Sequence, residues 1–244
     1  MPNKNDIVTI EITDITLEGM GVGKTEEGYV LFVPGSAPGD IIKAKILKTL
    51  SSYGYAKIEE IITPSSDRTE VDCPVFSKCG GCVFRHISYE KELEIKKNLV
   101  DAQFERIGGL DVRCGGITPS PEVCGYRNKA QFPVGCDEKG LYFGFFAQHS
   151  HRIIKCENCA LHPAFYTDIL AAIKKWGDRY KISAYSEETK TGLLRHVYIR
   201  DGRASGEIIV CLVATGNTPK TKELTAALLA ANPKIDTEHF SFCF

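Results

Sequence analysis

The sequence predicts an α+β protein that begins with a small antiparallel β-barrel and continues into a mixed α and β region. Residues 7–62 alternate apolar and polar side chains over about five short segments and show no helical period. Three cysteines fall between residues 73 and 82, and a helical pattern follows them. Beyond residue 111, strand-like and helix-like stretches alternate. We therefore predict three regions, at residues 1–63, 64–110 and 111–244.

The composition is that of a globular protein. The chain has 244 residues, of which 43% are hydrophobic and 25% charged, enough for two or three small domains. It has no apolar run of about 18 residues, and its first residues, MPNKNDIVTIEITD, lack the apolar core of a signal peptide. We therefore expect a cytoplasmic protein. Because the net charge is only −1, any nucleic-acid-binding patch must be local.

The first region contains a glycine-rich stretch, GMGVGK at residues 19–24. Its end, Gly23-Lys24-Thr25, resembles a phosphate-binding loop, but that motif requires a glycine at position 18, where this chain has Glu18. The next residues predict a strand instead of the helix that such a loop precedes. We interpret the stretch as a hairpin turn in which the backbone is approached closely.

The second region combines a polar linker, the cysteines and one helix. The linker TPSSDRTEVD leads into CPVFSKCGGC at residues 73–82. Ser88 can cap a helix that runs to about Ile107 and ends at Gly108 and Gly109. The apolar residues of this helix share one face. They are Leu93, Val100, Phe104 and Ile107.

The third region predicts two hairpins and two helices. KAQFPVG and LYFGFF form the first hairpin, and LLRHVYIRDGRASGEIIVCLVAT forms the second. The helices are AFYTDILAAIKKWGDRY and TPKTKELTAALLAANP.

Ten cysteines are many for this length, and in a reducing compartment a tight group indicates a metal site rather than disulfides. Two sites fit the spacing. The pairs Cys79/Cys82 and Cys156/Cys159 could hold zinc through four thiolates. Alternatively, Cys73, Cys79, Cys82 and one later cysteine could hold a 4Fe-4S cluster. Spacing alone leaves both possibilities open.

Several stretches resemble the 23S rRNA (uracil-5-)-methyltransferases, a family of RNA 5-methyluridine methyltransferases with an iron–sulfur cluster. CPVFSKCGGC, followed by His86 and a helix, is similar to the cysteine segment of that family. Residues 7–62, with the turns GMGVGK and VPGSAPGD, resemble a TRAM domain, which is an OB-like RNA-binding barrel. GYRNKAQFPV at residues 125–134 resembles the Tyr-Arg-Asn-Lys strand of the family, and GFF at 144–146 and LRHVYIRDGRASGEIIVCLV follow in the same order. The resemblance covers nearly the whole chain.

This resemblance implies a ligand set and a reaction. Its cluster ligands fall on Cys73, Cys79, Cys82 and Cys159, whereas Cys156 lies three residues before the position of the fourth ligand. Five other cysteines have no ligand role in that pattern and are expected to be small buried residues: Cys114, Cys124, Cys136, Cys211 and Cys243. In the family, a cysteine thiolate attacks C6 of a flipped uracil and C5 takes the methyl group of S-adenosylmethionine. These groups lie in a C-terminal Rossmann-like domain.

The end of the sequence, HFSFCF, bears on whether the catalytic domain is present. No strand with a glycine-rich turn follows residue 205, so the chain is expected to be an N-terminal part, truncated or frameshifted, whose Rossmann-like methyltransferase domain is absent. Such a chain would supply RNA binding and the cluster but not methyl transfer. No residue, Cys243 included, is assigned a catalytic role. The alternative is a standalone RNA-binding protein with a structural iron–sulfur or zinc site. If the helix after the cysteines normally packs on the absent catalytic domain, Leu93, Val100 and Phe104 are expected to be partly exposed.

The expected partner is RNA, specifically rRNA, with no membrane and no DNA. Residues 171–203 contain eight basic and four acidic residues, and basic residues of this kind contact phosphates. Tyr29, Tyr53 and Lys57 are further candidates on the barrel. Phe132 and Phe145 could stack a splayed base, although core packing is the favoured alternative for both. The candidate RNA contacts are Lys24, Lys43, Lys45, Arg127, Lys129, Phe145, Arg195 and Arg200.

Overall fold

A computed structural model describes residues 2–236 and the backbone of residues 242–243. The chain forms two compact units. The first unit comprises Met1–Ser77 with Cys82–Pro119, and the second comprises Lys78–Gly81 with Ser120–Phe244. No helix within the described residues is long and apolar enough to cross a membrane. The predicted domain boundaries at residues 63 and 110 stay a prediction.

The first unit begins with a closed five-stranded barrel. Its strands are β1 (Ile7–Ile15), β2 (Met20–Lys24), β3 (Val30–Pro34), β4 (Ile41–Thr49) and β5 (Tyr53–Thr63), in the order β1-β2-β3-β5-β4. Strands β3 and β5 pair in parallel, and the other neighbours are antiparallel. Alternate side chains point inward and fill the barrel. These core residues include Ile10, Ile12, Leu31, Val33, Ile42, Ala44, Ile46 and Ala56.

The interpretation of GMGVGK as a hairpin turn is wrong, because most of it forms strand β2. The turn lies before it and ends at Gly19, whose φ of +76° favours glycine. Inside the strand, a Cβ atom on Gly23 would lie 2.6 Å from the Glu11 carbonyl oxygen. The glycines of β2 therefore permit the close backbone approach that the sequence predicts, but they lie in a strand and not in a turn.

A buried ion pair fixes the linker to the barrel. Arg68 donates from Nε and Nη2 to the two carboxylate oxygens of Asp40, at 2.7 Å each, and the side chain of Asp40 is fully buried. Burial alone would raise the pKa of Asp40, but hydrogen bonds from Arg68 and from the backbone of Ala37 and Ser65 outweigh it and lower the pKa. Asp40 is therefore an ionised structural residue.

Helix α1 (Tyr89–Arg106) completes the first unit and confirms the predicted helix. The Ser88 hydroxyl accepts a hydrogen bond from the Lys91 backbone N–H, as an N-cap residue does. The buried face centres on Ile95, which packs with Ile15, Ala37 and Ile87. The apolar face predicted from the sequence points elsewhere. As expected, Val100 and Phe104 are exposed, at 45% and 37%, and Leu93 is half-buried.

The second unit is a six-stranded sheet with two helices. The strands are β6 (Lys129–Asp137), β7 (Gly140–Phe146), β8 (Ile153–Lys155), β9 (Leu194–Asp201), β10 (Ile208–Ala214) and β11 (Phe242–Cys243), in the order β11-β10-β9-β6-β7-β8. Both predicted hairpins and both predicted helices, α2 (Phe165–Arg179) and α3 (Thr221–Ala231), are present. The helices pack on one face of the sheet. Their shared core includes Phe132, Val197, Ile199, Ile173, Trp176, Leu224 and Leu228. Among the described residues of the second unit, no helix packs on the opposite face of β6 and β9, which carries the exposed polar residues Lys129, Gln131 and Arg200.

Candidate nucleic-acid interface

Three aromatic residues lie together on the outside of the barrel. We call Phe32, Tyr53 and Tyr55 the outer aromatic face. They alternate with the inward residues of β3 and β5, and the parallel register places Phe32 beside Tyr55. The ring centroids lie 5.5 Å apart for Phe32 and Tyr53, 5.9 Å for Phe32 and Tyr55, and 5.8 Å for the two tyrosines. All three side chains are half-buried.

The outer aromatic face lines a concave surface of about 630 Å³. Thr16 and Glu18, from the turn between β1 and β2, and Ser52, from the turn between β4 and β5, add polar groups to it. Tyr53, then burial and the nearby carboxylate of Glu18, raise the pKa of Tyr55. The phenol therefore stays neutral, and the surface offers π-faces with hydroxyl groups and one carboxylate.

The structure assigns different environments to the other barrel candidates. Tyr29 is a core residue whose hydroxyl donates to the Leu50 and Tyr53 carbonyl oxygens, so its proposed place in an RNA-binding surface is wrong. Lys43 is paired with Glu60 at 2.7 Å. Lys24 is exposed, and Lys45 is half-buried. Lys24 therefore has the freest ammonium group of these three lysines for a phosphate.

The helix-free face of the second sheet brings two predicted cations together. In the register of β6 and β9, Lys129 lies opposite Arg200, and Gln131 lies opposite Tyr198. Lys129 and Arg200 are exposed, and the Lys129 Nζ atom lies 6.0 Å from the centre of the Tyr198 ring. Within the described residues neither cation has a carboxylate partner. Like charges directly across a sheet repel each other, so this pair favours an anion.

Three further candidates differ in how their side chains are used. Arg127 is exposed, and its backbone N–H donates to the Leu161 carbonyl at 2.9 Å. Arg195 stacks on Tyr185 at 4.5 Å and lies 3.8 Å from Glu187. Phe145 packs on the core, 5.2 Å from Phe132 and nearly parallel to the buried His162. Of these three residues, only Arg127 has a side chain free to contact RNA without first losing an internal contact.

The predicted cluster ligands are divided between the two units. Cys73 and Cys82 lie in the first unit, and Cys79 and Cys159 lie in the second. Among the described residues, no group of three or more histidine, cysteine or acidic side chains is gathered around a metal position. Two other cysteines, Cys124 and Cys136, are exposed, so their assignment as small buried residues is wrong. The side chain of Cys243 lies outside the described residues.

Cys159 nevertheless has the chemistry of a metal ligand. Its thiolate is favoured first by a hydrogen bond from Cys156 and then by one from His162, and these lower its pKa to about 4 against the effect of burial. Soft thiolates are the ligands of zinc and of iron–sulfur clusters. The segment that carries Cys159 also pairs with the YRN stretch, because Gly125 N–H donates to the Ala160 carbonyl at 2.8 Å.

Comparison with known proteins supports the assignment of the barrel. The family model of the TRAM domain matches residues 3–58. An uncharacterized RNA methyltransferase of Halalkalibacterium halodurans is 39% identical over 239 residues, which are 96% of this chain and 51% of that protein. One of Listeria monocytogenes is 38% identical over 90% of this chain and 48% of its own length. The chain carries a TRAM domain and is similar over most of its own length to these RNA methyltransferases. It spans about half the length of these curated relatives.

A solved structure agrees with this family at the level of the fold. It is a tRNA (uracil-54, C5)-methyltransferase of Pyrococcus abyssi in complex with S-adenosyl-L-homocysteine, with a TM-score of 0.64 and 23% identity. The match covers 88% of this chain and 48% of that one.

These alignments correct the expectation drawn from the end of the sequence. That expectation described a truncated N-terminal part, without a Rossmann-like domain and without methyl transfer, or else a standalone RNA-binding protein. The alignments cover 96% of this chain with about half of an RNA methyltransferase, and the fold of 88% of it is similar to about half of a solved methyltransferase. The chain therefore resembles such enzymes over nearly its whole length, and the alternative of an unrelated standalone RNA-binding protein is not supported. The point at which the printed sequence stops is no evidence of truncation or inactivity.

Proposed function

We propose that this protein acts in the S-adenosylmethionine-dependent methylation of RNA at C5 of uracil. The names of its relatives support RNA methylation, and the solved Pyrococcus abyssi enzyme, which resembles it in fold, acts on a uracil C5 of tRNA. The cysteine and YRNK stretches resemble the enzymes that act on 23S rRNA, so we propose rRNA as the substrate. Such an enzyme works where ribosomes are assembled, in the cytoplasm. S-adenosylmethionine would supply the methyl group, and we assign none of the described residues to it.

The observation that carries the proposal is the cross-strand pair Lys129 and Arg200 on the helix-free sheet face. Two exposed cations opposite each other are unfavourable in the free protein, and a phosphate between them removes the repulsion. Tyr198, beside Lys129, adds an aromatic ring to the same face. Arg127 precedes the same strand and is exposed. These residues would hold the RNA backbone and so orient the substrate.

The reaction itself is tested with the full-length protein and RNA from cells that lack this methylation. We expect tritium from the methyl group of S-adenosylmethionine to appear in 5-methyluridine after nuclease digestion. The Lys129→Gln/Arg200→Gln variant should transfer less at limiting RNA and recover at high RNA, because it loses binding rather than chemistry. Label in a nucleoside other than 5-methyluridine, or no label with rRNA or tRNA, would contradict the proposal.

We also propose that Cys73, Cys79, Cys82 and Cys159 hold a 4Fe-4S cluster. The donor chemistry fits, because all four residues are cysteines and cysteine thiolates are the ligands of such clusters. The supporting evidence is the resemblance of CPVFSKCGGC to the family segment. With ligands at residues 73 to 159, the cluster would tie distant parts of the chain together. The cluster would therefore stabilise the fold.

A pair of variants separates the cluster from the zinc alternative. Protein purified anaerobically should contain four iron and four sulfide per chain, with broad absorption near 400 nm. Cys73→Ala should lose the iron, and Cys156→Ala should keep it. A zinc site formed by the pairs Cys79/Cys82 and Cys156/Cys159 predicts the opposite pattern, in which Cys73→Ala keeps its metal and Cys156→Ala loses it. Stoichiometric zinc without iron in the wild type would exclude the cluster.

A further inference from the structure

We infer that the outer aromatic face, Phe32, Tyr53 and Tyr55, is a stacking platform for unpaired bases of the RNA. This inference rests on the proposed RNA-binding function and deepens it, because it specifies the substrate class. The barrel would take a single-stranded segment and hold it by its bases, whereas the Lys129 and Arg200 pair of the second unit would hold phosphates.

The three rings are not needed to fill the barrel. The inward positions of the same strands carry Leu31, Val33 and Ala56, and each of these is fully buried. Phe32, Tyr53 and Tyr55 occupy the alternate, outward positions and are half-buried against one another. Clustered outward aromatic residues expose apolar surface to water, which marks a binding site rather than a packing requirement.

The shape and position of the surface fit nucleotides. Its concavity of about 630 Å³ lies within the range of sites that enclose small organic groups. It is built from β2, β3 and β5 together with the turns that contain Glu18 and Ser52. Barrels of the OB type bind oligonucleotides through equivalent strand faces and turns, and base stacking on aromatic rings needs no particular sequence.

The charges around the concavity decide which part of the RNA enters it. The Glu18 carboxylate lines the surface and would repel a phosphate placed there, but it can accept a hydrogen bond from a base N–H group. Lys24 is exposed on β2 opposite Val30, which pairs with Tyr53, and Lys57 is exposed two residues after Tyr55 on β5, where it lies 3.4 Å from Glu59. The arrangement therefore favours bases against the rings and the phosphate backbone toward the lysines. A base in a continuous duplex cannot present its face in this way.

The test is RNA binding by the full chain with the variant Tyr53→Leu/Tyr55→Leu, which keeps apolar bulk but removes two π-faces. Fluorescence anisotropy with a labelled single-stranded uridine 12-mer measures the affinity. Stacking losses of this kind weaken binding about 5- to 150-fold per ring. The salt dependence of binding should not change, because no phosphate contact is lost. Affinity for a duplex of the same length should change less than about twofold.

Two controls keep the test decisive. Tyr142→Leu removes a half-buried tyrosine of the second unit and should bind the 12-mer like the wild type. Tyr55→Trp should retain binding, and its fluorescence should be quenched by the single strand but not by the duplex, a signal that a merely structural role would not produce. Circular dichroism confirms that each variant is folded.

The outcomes for the platform and for the proposed function are distinguishable. If the wild type binds the 12-mer and a folded Tyr53→Leu/Tyr55→Leu variant binds it equally well, the platform is refuted while RNA binding stands. If single-strand and duplex affinities fall together, stacking is likewise refuted. If the wild type binds no RNA at any salt concentration, the proposed function fails together with the platform.

Discussion

Replacing the cross-strand cations of the second sheet should change stability and RNA binding in opposite directions. Lys129 and Arg200 are opposite each other on β6 and β9, and a directly opposed like-charge pair costs roughly 0.2–1 kcal/mol. Arg200→Gln removes this repulsion and should raise the free energy of unfolding by that amount. The same substitution removes a proposed phosphate contact, so RNA binding should weaken.

The magnitude for RNA follows from counterion release. Each phosphate contact contributes about 0.7 to the slope of log affinity against log salt for a single strand, so Lys129→Gln/Arg200→Gln should lower the slope by about 1.4. Urea unfolding measures the stability, and anisotropy between about 50 and about 200 mM salt measures the slope. Lys175→Gln is the matched control, because Lys175 is an exposed lysine on α2, the helix that covers the other face. An unchanged slope, or a double variant less stable than the wild type, would refute the reasoning.

Two further predictions concern the folding of the first unit. Asp40→Asn breaks the buried pair with Arg68 and should lower the free energy of unfolding by about 3 kcal/mol, the low end for such a pair because Arg68 is partly exposed. Since the folded-state pKa of Asp40 is lowered, its contribution is present above the unfolded pKa of about 3.9 and is lost as pH falls through the folded value. Below about pH 4, the free energy of unfolding of the wild type, measured with urea, should therefore fall more than that of Asp40→Asn. Parallel curves of this free energy against pH for the two proteins would contradict the prediction. Ser88→Ala removes the N-cap of α1 and should cost about 1 kcal/mol in the same assay, with Ser88→Asp close to the wild type.

The local features of the fold were readable from the sequence, and the non-local ones were not. Helix α1 was predicted with its cap because Ser88 and the following period lie within a few residues of each other. The prediction for β2 is wrong because the space around Gly23 is limited by the backbone carbonyl oxygen of Glu11, on a neighbouring strand. From the sequence alone, a glycine required for close approach of a neighbouring strand cannot be distinguished from a glycine required by a turn, because the sequence does not show which strand is the neighbour.

The same distinction explains the candidate surfaces. Lys129 and Arg200 were identified by charge, but their pairing depends on a register across more than 70 residues. Tyr29 and Tyr53 were considered equally, although one is buried and the other is not. Phe32 and Tyr55 were missed because β3 and β5 are parallel and separated by β4 in the chain. The available signal is the pair of tyrosines two residues apart in YGYAK, together with the central phenylalanine of VLFVP, which alternates with inward-facing residues.

Both surfaces carry residues that the fold itself does not favour. Opposed cations destabilise a sheet, and clustered outward aromatic residues expose apolar area, yet each lies on a face whose opposite side has a complete core. A closed barrel and a helix-covered sheet can tolerate such residues, and a phosphate or a base makes them favourable. The two surfaces also contribute different information. Phosphate contacts bind any RNA strand, whereas the rings accept only bases that are free to unstack. A protein that uses both would prefer RNA that contains an unpaired segment, which is consistent with the proposed methylation of a uracil.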